Sequence, residues 1–303
     1  MKINKCSASA ISSYRFCIFQ YYLNQVLGLK TISGKAALQG TIIHNVFETM
    51  AKINLHDKNL IDPFDILEKK WDKHVKLNPH IEIRKITTRG ISADFKKCQR
   101  AIEIITNDNI YNPYKIDKII GIENWFAFEH KGKQWTTHDG SQFRSRGFID
   151  LVHEIDDDTI EIVDFKSGKR QEFGTFKEKD FWALLEDIQP RLYHLAALQL
   201  WPEYDNIIVT FYYILDGGPI SFCFSEIDTF ITIGRIQKFF KTVKNNELIT
   251  RNRCWKCNLC SFNKGGFCDK IWSDFKIFGQ DYIEQHYKEL TFREQQDMIK
   301  KGE

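Results

Sequence analysis

Three side chains with chemistry to offer fall within one short stretch, GFIDLVHEIDDDTIEIVDFKSG, from Gly147 to Gly168. Asp150 sits between Phe148-Ile149 and Leu151-Val152, flanks that read as a buried strand in which a carboxylate needs a partner. Asp156, Asp157 and Asp158 have turn composition, and Ile160 to Phe165 alternates apolar residues with Glu161 and Asp164, so the stretch reads as a hairpin. Asp164 and Lys166 are two apart, and the period of a strand points both to one face. With Asp150 beside them they would give two oxygen ligands for a hard divalent cation and an ammonium to orient or polarise an attacking water, which is hydrolytic chemistry on a phosphate ester. Taken alone, an Asp–Lys pair on a hairpin is an ordinary surface ion pair. The rest of the chain has to separate the two readings.

A second group of chemically capable residues is the run CWKCNLCSFNKGGFC, which places Cys254, Cys257, Cys260 and Cys268 within fifteen positions. Thiolates at such spacing bind zinc or an iron-sulfur cluster. The four could close a local zinc site by themselves. Alternatively, Cys257, Cys260 and Cys268 are joined by Cys17, stapling both ends of the chain together. Cys17 on its own reads as a small buried hydrophobe. Eight cysteines in a chain with no basic-then-apolar leader argue for an intracellular protein that uses thiols for metal.

The elements that must position these residues follow from periodicity and punctuation. Residues 7 to 30 read as an aromatic-rich helix capped by Ser7 or Ser9 and ending near Gly28, and Ala36 to Ile53 as a second helix with Ile42, Val46 and Phe47 on its apolar stripe. His44 lies on that helix after Gly40, where a lone histidine is more often structural than a ligand. Residues 54 to 120 are helical and charged, with breaks at Asn78-Pro79, Gly90 and Asn112-Pro113, and fit an insertion beside the core. Gly121 to Trp135 reads as a hairpin turning at Lys131-Gly132-Lys133. Within it Glu123 is read as an exposed strand charge, with a further site carboxylate as the alternative. Pro190 suits the first turn of a helix running to Leu200, on which Gln189 and Tyr193 share a face. Ile207 to Ile214 is a buried strand, Asp216 to Pro219 its turn, Phe230 to Lys244 a basic amphipathic helix, and Asp281 to Glu303 a polar helical tail.

Composition excludes some classes and leaves others open. The chain has 303 residues, 43% of them hydrophobic, and the 43 basic and 40 acidic side chains nearly balance, so any nucleic-acid groove has to be local. Arg144, Arg146, Lys169 and Arg170 around the hairpin are the candidates for it. No apolar run reaches the length of a membrane span, and there is no phosphate-binding G-x-x-x-x-G-K-[ST] loop to drive a built-in motor.

In order along the chain, these residues resemble the RecB-like branch of the PD-(D/E)XK nuclease superfamily, and within it the iron-sulfur members such as the CRISPR-associated RecB-like exonucleases and AddB-type nuclease domains. The helix histidine after a glycine matches Gly40 and His44; the G-x-x-D strand matches Asp150; D-x-K matches Asp164 and Lys166; Q-x-x-x-Y matches Gln189 and Tyr193. The cysteine pattern matches Cys17, Cys257, Cys260 and Cys268, and Cys254 departs from it as an extra thiol. The resemblance implies an α/β restriction-endonuclease-like core, with a mixed central sheet flanked by helices. It divides one nuclease domain, 1–303, into N-terminal helices (1–53), a helical insertion (54–120), the core (121–250) and a cysteine region with its tail (251–303). It further implies Mg2+ or Mn2+ bound by His44, Asp150, Asp164 and the backbone carbonyl of Phe165. Lys166 would orient the water or stabilise charge, Gln189 and Tyr193 would position the strand, and a structural 4Fe-4S cluster would sit on the cysteines, with Zn2+ and Cys254 as alternatives. The expected activity is a DNA nuclease, an exonuclease on single-stranded or end-containing DNA, working alone or beside a separate helicase or recombination partner. A non-catalytic nucleic-acid-binding module and an electron-transfer protein are the competing readings.

Overall fold

The computed structural model describes residues 4–31, 34–56, 59–172, 177–245, 249–288, 290 and 294. In chain order its elements are β1 (Lys5–Cys6), α1 (Ala8–Phe16), α2 (Ile18–Tyr21), a π-helical turn (Tyr22–Val26), α3 (Lys35–His56), α4 (Pro63–Leu77), β2 (Ile86–Thr87), β3 (Gly90–Ile91), α5 (Ala93–Asn107), β4 (Ile119–Glu129), β5 (Arg144–Asp156), β6 (Thr159–Lys166), α6 (Phe181–Leu185), α7 (Ile188–Leu200), β7 (Asn206–Tyr213), β8 (Gly218–Cys223), α8 (Glu226–Asn245), α9 (Ser261–Lys264) and α10 (Phe267–Tyr287). The chain divides into two compact units, one of Met1–Ile32, Ala127–Gly147 and Ile233–Glu303, the other of Ser33–Phe126 and Phe148–Thr232. Strands β4 and β5 contribute residues to both.

The second unit is built on a mixed sheet in which β5 and β6 are antiparallel, β6 and β7 parallel, and β7 and β8 antiparallel, with β4 also on β5. The β5–β6 hairpin is the one expected, with its turn at Asp157-Asp158 and Leu151 opposite Val163. Alternation then decides which side chains meet which layer. Leu151, Val163 and Phe165 enter a core formed with Leu38, Ile42, Val46, Phe47 and Met50 of α3 and with apolar residues of α4 and α5. Phe47 and Phe165 pack with ring centroids 4.8 Å apart, which ties α3 to the end of β6. Gly40 lets α3 come close to the chain leaving β6: a Cβ there would lie 2.9 Å from the Ser167 hydroxyl.

The first unit gathers both ends of the chain. Lys5 and Cys6 run parallel to Arg144 and Ser145. A core of Phe19, Tyr22, Leu23 and Leu27 with Phe262, Phe267, Ile271 and Ile283 joins the N-terminal helices to α9 and α10.

Several local expectations need correction. The single helix expected over 7–30 is three pieces: Ser7 caps α1, and Cys17 then takes extended backbone (φ −161°, ψ 120°), breaking the helix where its thiol turns inward. The 54–120 segment is not wholly helical, since Gly90 closes the small β2–β3 hairpin between α4 and α5. Lys133–Trp135 is a 3₁₀ turn, not a returning strand; β4 pairs with β5 instead. Gly279 interrupts α10 at φ 83°, and the expected tail past 288 lies outside the described residues apart from 290 and 294. No helix among the described residues is long and apolar enough to cross a membrane.

Candidate metal-dependent hydrolytic site

Five elements of the second unit, α3, β4, β5, β6 and α7, bring side chains to the open end of the β5–β6 hairpin. One step beyond the Leu151–Val163 pair, Asp150 and Asp164 stand on neighbouring strands. Two like charges there would repel strongly unless something compensates. Asp150 Oδ2 accepts a hydrogen bond from the Phe165 amide at 3.0 Å and lies 3.0 Å from His44 Nδ1. Asp164 is buried, and its two oxygens are served separately. Oδ1 accepts from the Tyr193 hydroxyl at 2.9 Å and from Gln189 Nε2 at 3.1 Å, while Lys166 Nζ stands 2.6 Å from Oδ2. Gln189 also bonds to Tyr193 (2.7 Å) and accepts from Lys166 (2.9 Å), so Asp164, Lys166, Gln189 and Tyr193 form one closed network. The helix that brings Gln189 and Tyr193 here is capped by Asp187, whose side chain accepts from the Gln189 amide, and carries Pro190 in its first turn.

Electrostatics follow from this crowding. Burial alone would lower the pKa of His44, but the Asp150 carboxylate, with Asp164 behind it, outweighs burial and raises it from 6.5 to about 9. Burial, the Asp150 charge and Glu48 together raise Glu123 to about 7. Asp164 is also raised, by burial first, with Lys166 pulling the other way, and Tyr193 is raised by burial and by Asp164. Without a cation the site therefore holds protons. That is the behaviour expected of clustered ligands, and metal binding would have to displace them.

Among the described residues, the set of three metal-ligating side chains with all donor atoms within 4.8 Å of one another is His44, Glu123 and Asp150. His44 and Asp150 are two of the expected ligands and Glu123 joins them, while Asp164 is held in the network with Lys166, Gln189 and Tyr193. Glu123 is not the exposed strand charge expected. It is half-buried and lines a pocket with His44, Phe47, Glu48, Asp150, Leu151 and Phe165. The reason is local: Glu123 takes a left-handed backbone (φ 48°) within β4, and such a residue re-aims its side chain in a way that period-2 reading cannot foresee. Two oxygens and an imidazole nitrogen facing an open pocket suit a divalent cation of the Mg2+ or Mn2+ type.

The four predicted basic residues divide. Arg144 is paired with Glu129 and Arg170 with Glu178, and the Arg170 amide donates to Asp216, so both are held internally. Lys169 is exposed and makes no ion pair among the described residues; Arg146 is half-buried. Arg144 and Arg146 belong to the first unit.

That unit also carries the cysteines. Cys17, Cys257, Cys260 and Cys268 line one pocket with Phe16, Gln20 and Arg251; Cys254 is not among its lining residues and instead donates its amide to Cys257 Sγ at 3.4 Å. Burial pushes Cys268 up to about 11, opposed by the Arg251 guanidinium beside it.

An α/β fold with a mixed sheet, two aspartates on neighbouring strands, a D-x-K strand and a helix histidine defines the class of metal-dependent phosphodiester-cleaving cores. The sequence profile of the PD-(D/E)XK nuclease superfamily matches residues 5–264, and the chain belongs to that superfamily. Among solved structures, a "Putative exonuclease" from Eubacterium rectale is similar in fold: TM-score 0.51, 16% identity, 86% of this chain and 87% of that one covered. The structure of SSO0001 gives TM-score 0.31 at 13% identity, covering 75% of this chain and 96% of that one. No curated protein sequence matches the chain.

Proposed function

We propose that this chain is a divalent-metal-dependent deoxyribonuclease of the RecB-like branch, an exonuclease on single-stranded or end-containing DNA, with a structural 4Fe-4S cluster. The observation that carries the activity is the approach of the His44, Glu123 and Asp150 donors to within 4.8 Å, next to the Asp164–Lys166 pair. A Mg2+ or Mn2+ held there supplies Lewis acidity to the phosphodiester and a water of lowered pKa. His44 would give up its proton to serve as a ligand, with Asp150, Glu123 and the Phe165 carbonyl beside it. Asp164, held through Oδ1 by Tyr193 and Gln189, is the second aspartate of the ligand set that the motif register implies. Lys166, ion-paired with Asp164 Oδ2 and donating one hydrogen bond to Gln189, keeps further protons to offer to the attacking water or to the charge that grows on phosphorus. Exonuclease action rests on the motif register, and the E. rectale neighbour carries the same name.

For the thiol pocket, the reading of a cluster rests on the cysteine pattern: Cys17, Cys257, Cys260 and Cys268, the four that the pattern names, line one pocket, and Cys254 is not among its lining residues. In this reading Cys17 joins the two ends of the first unit.

Cleavage of linear and circular single strands with Mg2+ or Mn2+ tests the activity: linear DNA should be degraded to short products and circles should survive. Binding without cleavage under every divalent metal would favour a non-catalytic nucleic-acid-binding module instead. For the cluster, protein purified without oxygen should carry about four irons and absorb near ~400 nm; stoichiometric zinc with no iron would reject it.

A further inference from the structure

The two strands that bring Asp150 and Glu123 to the pocket also carry a pair of exposed aromatic rings. Phe148 and Trp125 are 54% and 50% exposed, and their ring centroids lie 4.8 Å apart at an interplanar angle of 52°. Phe148 precedes Asp150 by two residues on β5. It therefore points to the same face, about 7 Å along the strand. Burial alternates there as this requires, with Ile149 and Leu151 buried and Phe148 exposed. Trp125 lies on β4, the neighbouring strand, and its ring contact with Phe148 sets it on that same face.

Leaving two large rings in water forgoes the stabilisation that burying them would bring, and the sheet keeps them packed on each other instead of turned inward. The spacing of Phe148 from Asp150 along β5 is about the repeat of an extended single strand. A chain whose scissile phosphodiester lay at Asp150 and Glu123 would thus bring an adjacent base over the rings. Every base has a π-face, and each stacking contact of this kind contributes about 1–3 kcal/mol whatever the sequence. In a duplex those faces are already covered by neighbouring base pairs.

We propose that Trp125 and Phe148 form a stacking platform for an unpaired nucleobase beside the scissile phosphodiester, which makes single-stranded DNA, or the unpaired end of a duplex, the substrate of this site. The proposal rests on the reading of the His44–Glu123–Asp150 pocket as the nuclease centre, and its test separates the two. Binding of a fluorescein-labelled dT12 and of a blunt 12-base-pair duplex is measured by anisotropy with Ca2+ in place of Mn2+, so that no cleavage is required. Trp125→Ala and Phe148→Ala should each weaken dT12 binding about ten- to hundredfold. They should leave the duplex affinity within about twofold, and Trp125→Phe should restore most of the loss. An abasic residue placed next to the cleaved bond should mimic the alanine variants in the wild-type protein. Unchanged dT12 affinity in both alanine variants, shown to be folded by circular dichroism, would overturn the platform, as would equal losses for single strand and duplex. Failure of wild-type protein to cleave with Mn2+ would sink the nuclease reading while leaving the binding result to decide this one.

Discussion

Loading the carboxylate pocket with Mn2+ has to expel protons, and two groups set how many leave at each pH. His44 is raised to about 9 and Glu123 to about 7 in the metal-free protein. At pH 7.5 His44 is then about 97% protonated and Glu123 about a quarter, so ligation by both should release about 1.2 protons per Mn2+. At pH 6 the release should approach about 1.9, with the raised Asp164 able to add to it, and at pH 9.5 it should fall to about 0.25. Isothermal titration calorimetry of Mn2+ into protein in buffers of different ionisation enthalpy reads this number directly. In His44→Ala the release at pH 7.5 should drop below one proton, all of it from Glu123, and Glu123→Gln should remove most of the increase between pH 7.5 and 6. The sign carries over to stability. Both groups have folded pKa values above their ordinary ones, 6.5 and 4.5. Their contributions to the metal-free fold are therefore present in full at low pH, below about 4.5 for Glu123 and about 6.5 for His44, and are lost as pH rises through about 7 and about 9. For His44 the loss is of order 3 kcal/mol. The melting temperature of the metal-free protein should fall across that range, and saturating Mn2+ should reverse the fall. A proton count independent of pH, or the same count in His44→Ala as in wild type, would refute this arrangement of ligands.

Other consequences follow from the same geometry. Lys166→Ala should lower the cleavage rate about 10²- to 10³-fold, as for loss of one preorganised charge-stabilising donor, while leaving Mn2+ affinity equal or tighter; rates under single-turnover conditions beside a metal titration check both halves. Tyr193→Phe removes one of two donors to buried Asp164 Oδ1 and should cost about 1–3 kcal/mol in urea unfolding. Cys17→Ser should lose most of the iron and the ~400 nm absorbance, whereas Cys254→Ser should retain both, measured by iron assay after anaerobic purification.

Much of the site was legible because its residues stand at spacings that strand and helix periods translate into shared faces. Asp164 and Lys166 on one strand, and Gln189 and Tyr193 on one helical turn, meet as those periods require. The β5–β6 hairpin could be read from its acidic turn and apolar flanks. Glu123 could not be placed, since its left-handed backbone breaks the alternation that marked it as exposed; the only signal was a carboxylate in a strand otherwise rich in aromatics. The engagement of Arg144 and Arg170 depends on partners at Glu129 and Glu178, and single-residue charge patterns do not reveal such pairings. The break at Cys17 escaped a periodicity argument because an aromatic run scores the same whether its helix is continuous or interrupted.

The central claim is that phosphodiester hydrolysis depends on the carboxylates at the end of the β5–β6 hairpin. It is tested most directly by single-turnover cleavage of end-labelled linear single-stranded DNA with Mn2+, comparing wild type with Asp150→Asn and Asp164→Asn, each shown by thermal unfolding to be folded. The account predicts cleavage by the wild type and a loss of at least about 10³-fold in both variants. Cleavage within tenfold of wild type in either variant would contradict it.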